Sequence, residues 1–212
     1  MTKNEALQLE VFPTGDLATN AYLVINKSNQ ECFLVDCPAP IDEYRDFIKR
    51  NNLKLKFLVI THSHYDHIDG LELCLQEFST PFYIQKNDFP MLINPLKNGS
   101  LLFKSSPISI KQQPVFCKEG DQIVFGKYQL RVIETPGHTQ GSISLQIGQW
   151  LFGGDTIFYH SIGRTDLPFS DEAQLKQSIV EKIFTLKPET IIYPGHGETT
   201  SVGEEIKNNP FF

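Results

Sequence analysis

A chain of 212 residues with 40% apolar and 21% charged side chains has the size and composition of a soluble globular protein with a full core, arranged as one domain over residues 1–212. Its net charge of −6 offers no basic face for a nucleic-acid groove. No apolar run approaches the roughly 20 residues of a membrane span, and Met1–Ala6 lacks the apolar segment of an export signal. The expectation is a cytoplasmic protein, monomeric or homodimeric, with neither nucleic acid nor membrane as partner. Four cysteines (Cys32, Cys37, Cys74, Cys117) without close pairing read as reduced, partly buried thiols.

The first strands are expected at Leu7–Phe12 and Ala21–Ile25, joined by a turn containing Pro13, Gly15 and Asn20. Cys32–Asp36 reads as a third strand. Ile41–Asn51 carries Ile41, Tyr44, Phe47 and Ile48 at the three–four spacing of an amphipathic helix. A buried strand at Lys56–Ile60 runs directly into Thr61-His62-Ser63-His64-Tyr65-Asp66-His67, where three imidazoles and a carboxylate occupy six residues. A helix over Asp69–Phe78 and a strand over Pro81–Gln85 follow. Pro90, Pro95, Asn98-Gly99 and Pro107 break Asn87–Gln113, which reads as a helix, then a loop with a short hairpin, serving either as a lid over the site or as a plain connector.

The second half predicts strands at Asp121–Phe125, Tyr128–Glu134, Ser142–Gln146 and Gln149–Phe152. A helix over Asp171–Leu186 has Asp171 as its N-cap. A strand at Thr190–Tyr193 and a short helix within Val202–Phe212 close the chain.

Neutral imidazole and carboxylate oxygen are the ligands that zinc-like cations prefer. One contiguous segment cannot close a metal shell, so further ligands are expected downstream. His138 stands in Thr135-Pro136-Gly137-His138-Thr139, Asp155 in Gly153-Gly154-Asp155-Thr156, and His196 in Tyr193-Pro194-Gly195-His196-Gly197. Each follows a strand-like run, so the strand ends should converge on one rim. Gly153-Gly154 lacks the Lys-Ser/Thr of a phosphate loop and reads as room for backbone beside the metals. His160 fits no ligand position.

The His62-x-His64-x-Asp66-His67 segment followed by His138, Asp155 and His196 resembles the metallo-β-lactamase superfamily. Thr135–Ser142, Gly154–Phe158, Gly163–Pro168, Pro194–Gly197 and Asn209-Pro210-Phe211 resemble its short glyoxalase II-like hydrolases. The resemblance implies an α/β fold, a four-layer αββα sandwich of two mixed sheets flanked by helices. It implies that His62, His64 and His138 hold one metal, that Asp66, His67 and His196 hold a second, and that Asp155 bridges them. Two divalent ions are implied, zinc first, with iron or manganese as alternatives. Asp66 and Asp155 would serve catalysis by a metal-bridging hydroxide acting on a thioester such as S-D-lactoylglutathione.

Arg164 matches a position beside the substrate pocket, and either grips a carboxylate of a glutathione-linked thioester or pairs with a neighbouring acid. Two departures stand out. Gly197 and Glu198 follow the last metal histidine where glyoxalase II carries an aromatic, and no C-terminal helical extension follows. A persulfide dioxygenase with a single non-haem iron also resembles Gly163–Asp166, and a lactonase or β-lactamase shares the fold, the latter disfavoured by the absent export signal. A binding module that keeps metals for stability alone is disfavoured by the intact ligand set.

Overall fold

Three buried clusters of side chains, stacked one above another, define the architecture. The computed structural model describes residues 6–212. The first sheet holds β1 (Leu7–Thr14), β2 (Thr19–Asn26), β3 (Glu31–Val35), β4 (Lys54–Val59), β5 (Phe82–Gln85) and β6 (Val115–Cys117), in that order across the sheet. β1 to β3 pair antiparallel, and β3 to β6 pair parallel. The second half supplies β7 (Gln122–Phe125), β8 (Tyr128–Glu134), β9 (Ile143–Ile147) and β10 (Trp150–Gly154), then a two-stranded hairpin of β11 (Ile157–Phe158) and β12 (Ser161–Ile162). β13 (Ile191–Pro194) and β14 (Thr200–Ser201) complete a second sheet ordered β14-β13-β10-β9-β8-β7.

β2 shows why two sheets form. All eight of its residues are buried, because alternate side chains serve different layers. Tyr22 and Val24 pack inward with Phe33, Phe57, Phe125, Leu145 and Phe152, filling the space between the sheets. Ala21, Leu23 and Ile25 face outward, against helices α1 (Asp42–Arg50) and, beyond the four-residue α2 (Tyr65–Ile68), α3 (Leu71–Phe78). Tyr44 and Ile48 of α1 and Cys74 of α3 complete that outer layer. Between this half and the next, residues 87–113 hold the end of a 3-10 turn (Lys86–Asp88), α4 (Phe89–Leu92) and α5 (Ser100–Phe103). On the far side, Leu175 of α6 (Glu172–Ser178) and Val202 of α7 (Val202–Asn208) cover Leu151 and Ile192 of the second sheet. The layers therefore run α, β, β, α. Fully burying one such leucine or phenylalanine contributes about 1.5–3 kcal/mol, so Phe33 or Phe152 truncated to alanine would open a costly cavity at the sandwich centre.

Several expectations change. Pro13 and Asn20 are not turn residues; β1 and β2 pair through both positions, and the reversal is confined to residues 15–18. Proline is tolerated there because β1 is an edge strand with no outer ladder to lose. The 87–113 segment has no hairpin among its described residues; its two four-residue helices are set by the prolines. The helix after Asp171 begins as expected, with Asp171 accepting from the Gln174 backbone N–H at 3.0 Å. It then widens into a π turn at Ile179–Ile183, which keeps both isoleucines buried. β6, β14 and the β11–β12 hairpin are too short to show a period in sequence. All four cysteines are free and buried. No helix among the described residues is long and apolar enough to cross a membrane.

Candidate metal centre

The C-terminal ends of β4, β8, β10 and β13 open on one rim, and each delivers part of a single cluster. β4 leads into His62, His64, Asp66 and His67; β8 into His138; β10 into Asp155; β13 into His196. The sheets are tied together at this rim. Thr61 O accepts from Ile143 N at 2.9 Å, and Gly195 O accepts from Asn20 N at 2.8 Å.

All seven expected ligands meet. The donor atoms of His62, His64 and His138 lie within 4.8 Å of one another, as do those of Asp66, His67 and His196, and those of His62, His67 and Asp155. Asp155 links the two outer groups: its Oδ1 is 3.3 Å from His67 Nε2, and its Oδ2 is 3.6 Å from His138 Nε2 and 3.5 Å from His196 Nε2. Such proximity demands glycine at position 195, where an added Cβ would stand 2.0 Å from Asp155 Oδ1. Of the two glycines before Asp155, Gly154 is the close-packed one. It has φ +52° and a Cβ would meet Thr61 Oγ1 at 2.6 Å, whereas Gly153 has ordinary room.

The outward nitrogens fix how the inward ones point. His138 Nδ1 donates to Arg164 O at 2.8 Å, and His196 Nδ1 to Leu17 O at 3.0 Å; a carbonyl can only accept. His67 Nδ1 donates to Asp36 Oδ2 at 2.8 Å. Thr61 Oγ1 gives its proton to Asp36 and receives His62 Nδ1–H at 3.1 Å. In each neutral ring the Nε2 lone pair is thereby turned inward, the arrangement that metal-binding histidines need. Some of the inward atoms lack partners of their own. His67 Nε2 and Asp155 Oδ1 are buried without a hydrogen bond, and His64 Nδ1 faces His138 Nε2 at 2.8 Å, acceptor toward acceptor unless a proton or cation intervenes. The donor set fits two divalent cations.

Two buried carboxylates hold the loops. Asp36, with φ +58° just beyond β3, receives Thr61 N and Oγ1 as well as His67. Asp88 receives Ser63 N at 2.6 Å and Gly141 N at 2.8 Å, joining the loop of His64 to the loop of His138. Thr19 Oγ1 donates to Asp66 Oδ2 at 2.8 Å, while the Asn20 amide holds Pro194 O and Gly197 O, each at 3.0 Å. Sequence reading missed all four. The one available sign was Asp36 at the end of an apolar strand.

Electrostatics split the cluster. Burial drives the His62 imidazole well below its ordinary pKa and His64 down to about 3, with neighbouring imidazoles adding to the effect. Burial alone would raise Asp66, but His67 and His196 outweigh it and hold the carboxyl at about 2. Asp155 is pulled well down in the same way. For His67 burial is overcome by Asp66, Asp36 and Asp155, which push it well up; for His196 it is overcome by Asp155 and Asp66, which lift it to about 10.

Arg164 does not reach into the cluster with its guanidinium. It forms a two-pronged pair with Asp166, Nε to Oδ1 at 2.7 Å and Nη2 to Oδ2 at 2.8 Å, with both side chains more than half exposed. His160 pairs with Glu204 at 2.8 Å, away from the ligands.

A sequence profile of the Metallo-beta-lactamase superfamily matches residues 14–196, spanning every ligand position. The chain belongs to the metallo-β-lactamase superfamily. The probable metallo-hydrolase YqgX of Bacillus subtilis is 31% identical over 201 residues, 94% of each chain. Among solved structures, the BLEG-1 B3 metallo-beta-lactamase matches with a TM-score of 0.91 and 33% identity, over 96% of this chain and 99% of that one. TTHA1623, solved in a di-iron-bound form, matches with a TM-score of 0.81 and 29% identity, over 93% and 97%. The αββα sandwich is thus the metallo-β-lactamase fold, and metal-dependent hydrolysis is the chemistry of the relatives' names.

Proposed function

We propose that this metallo-β-lactamase superfamily member is a binuclear thioester hydrolase. His62, His64 and His138 hold one divalent cation, Asp66, His67 and His196 the other, and Asp155 faces both. The observation that carries the reading is the position of Asp155, with its two oxygens within 3.6 Å of imidazoles from both groups. When bound, the cations would supply Lewis acidity and a hydroxide at neutral pH. The chain's own part is to hold the ligands rigid. Asp36 and Asp88 clamp the two histidine loops, and Leu17 O and Arg164 O orient His196 and His138.

A thioester suits the site because its leaving group ionises with a pKa of about 8.5 and needs no protonation. His67, His138 and His196 each spend their outward N–H on a neighbour, and the Asp66 carboxyl is held at about 2, so a leaving group that needs no proton fits the cluster. The test is hydrolysis of S-D-lactoylglutathione by zinc-loaded protein, followed as loss of thioester absorbance. Turnover that disappears on chelation and returns with zinc supports the reading. One iron per chain with oxygen uptake on glutathione persulfide would replace it with the dioxygenase.

A second reading, β-lactam hydrolysis, is favoured by the likeness to BLEG-1 over nearly the whole of both chains. Turnover of a chromogenic cephalosporin in preference to thioesters would select it.

A further inference from the structure

The rim around the metal ligands is apolar on the sides where the ligands themselves place side chains. Tyr65 stands between His64 and Asp66, and its ring stacks on Phe103 of α5 at 5.8 Å with 25° between planes. Phe103 is 60% exposed, and its neighbours Leu101 and Leu102 are 53% and 69% exposed. Across the mouth, Leu17, whose carbonyl orients His196, is half exposed, and the Phe158 ring lies 6.2 Å from the His196 ring. Exposed leucine and phenylalanine contiguous with a catalytic cleft mark a ligand surface more often than chance.

The 100–103 helix is not a loose flap. The Asn98 side chain receives Ser100 N at 3.0 Å and donates to Ile108 O at 2.9 Å, while Asn98 O receives Tyr65 N at 3.0 Å. Lys104 pairs with Asp69 at 3.1 Å, and Lys97 lies over the Phe169 ring at 5.4 Å. The ledge is therefore fixed at its N-terminal end to the Tyr65 backbone and the Phe169 ring, and at its C-terminal end to Asp69. The cations beside this face are each already engaged, Lys104 by Asp69, Lys97 by the Phe169 ring and Arg164 by Asp166.

We infer that the Tyr65–Phe103 ledge, with Leu102 at its outer end, binds the apolar acyl chain of the substrate, making medium-chain acyl thioesters the preferred class. The inference rests on the hydrolase reading and names the substrate of that site. A short hydroxyacyl group would leave the ledge bare. An alkyl chain laid along it covers the exposed rings while its carbonyl stays at the ligand cluster.

The experiment is a chain-length series, acetyl to octanoyl thioesters of N-acetylcysteamine, hydrolysed by zinc-loaded protein. Because a buried methylene contributes about 0.8 kcal/mol, kcat/KM should rise by up to about fourfold per added methylene. Phe103→Ala should cut the octanoyl-to-acetyl ratio of kcat/KM by roughly tenfold, the effect of losing one aromatic contact of about 1.4 kcal/mol. Zinc content should stay unchanged, since Phe103 is exposed and holds no ligand. A flat or falling series with turnover intact overturns the ledge and leaves the hydrolase standing.

Calorimetric binding of the matching S-alkyl thioether analogues keeps the two readings separable. Affinity that climbs with chain length and drops in Phe103→Ala supports the ledge even if no thioester is cleaved. Length-independent binding overturns it.

Discussion

The two candidate ligand groups of this protein differ in what they ask of the fold. His62, His64 and His138 are nearly inaccessible, and burial leaves His64 proton-free down to a pH of about 3. Asp66, His67 and His196 mix charges, with His196 partly exposed and held protonated up to a pH of about 10 by Asp155 and Asp66. The first group is a preformed basket of lone pairs. The second is, without metal, a salt-bridged network whose imidazolium protons stand where a cation would go, so loading it exchanges protons for metal. One cluster thus stores two solutions to the same problem, neutral ligands kept dry and charged ligands kept paired.

Removing the shared member should erase the difference. Asp155→Ala is expected to abolish turnover and strip metal from both groups, read by zinc stoichiometry after gel filtration; retention of two zinc ions with normal turnover would sink the bridging assignment. Asp36→Asn should separate the groups. It keeps a partner for Thr61 but removes the carboxylate that orients His67, so affinity for the second zinc should fall roughly 10- to 100-fold while the first is retained. Equal weakening of both sites would make Asp36 a general structural acid instead.

The pH response should split the same way in chelated protein. Below about 6.5 the unfolded chain protonates His62 and His64, which the folded chain keeps neutral, so stability falls as pH drops, for His64 down to about 3. His67 and His196 have raised folded values, so their contribution is complete below about 6.5 and is lost as pH rises, for His196 through about 10. Denaturant midpoints should therefore peak near neutrality, with His64→Gln flattening the acid limb and His196→Gln the alkaline one. A single limb shared by both variants would contradict the division.

The smallest effect belongs to the rim. Exposed ion pairs contribute about 0–1 kcal/mol, so Arg164 can exchange Asp166 for a substrate carboxylate at little cost. Arg164→Ala should raise KM a few-fold with kcat nearly constant on an anionic thioester; a loss confined to kcat would point instead to a structural or catalytic role for the Arg164 side chain.

The ligands were legible because each sits in a tight turn directly after an apolar strand, and that pairing of run and polar residue survives in one dimension. What orients them was not. His196 donates to a carbonyl 179 residues away in sequence, and His67 to a carboxylate 31 residues away. A backbone carbonyl has no letter of its own, so Leu17 and Arg164 could not be read as orienting residues. Asp88 looked like part of a proline-broken connector, yet it is fully buried and ties two ligand loops together.

Much of the strand and helix pattern and the positions of the seven candidate ligands were legible in apolar periodicity, turn residues and metal-binding side-chain types, while the sandwich and the grouping of the ligands came from the family resemblance of their motifs. The tertiary structure alone decided which nitrogen of each histidine faces inward, which ligands are dry and which charged, and that Arg164 is paired while Phe103 lies bare beside the site. Those properties depend on distance and burial between residues far apart in the chain, and both come into being only when the two sheets close on each other.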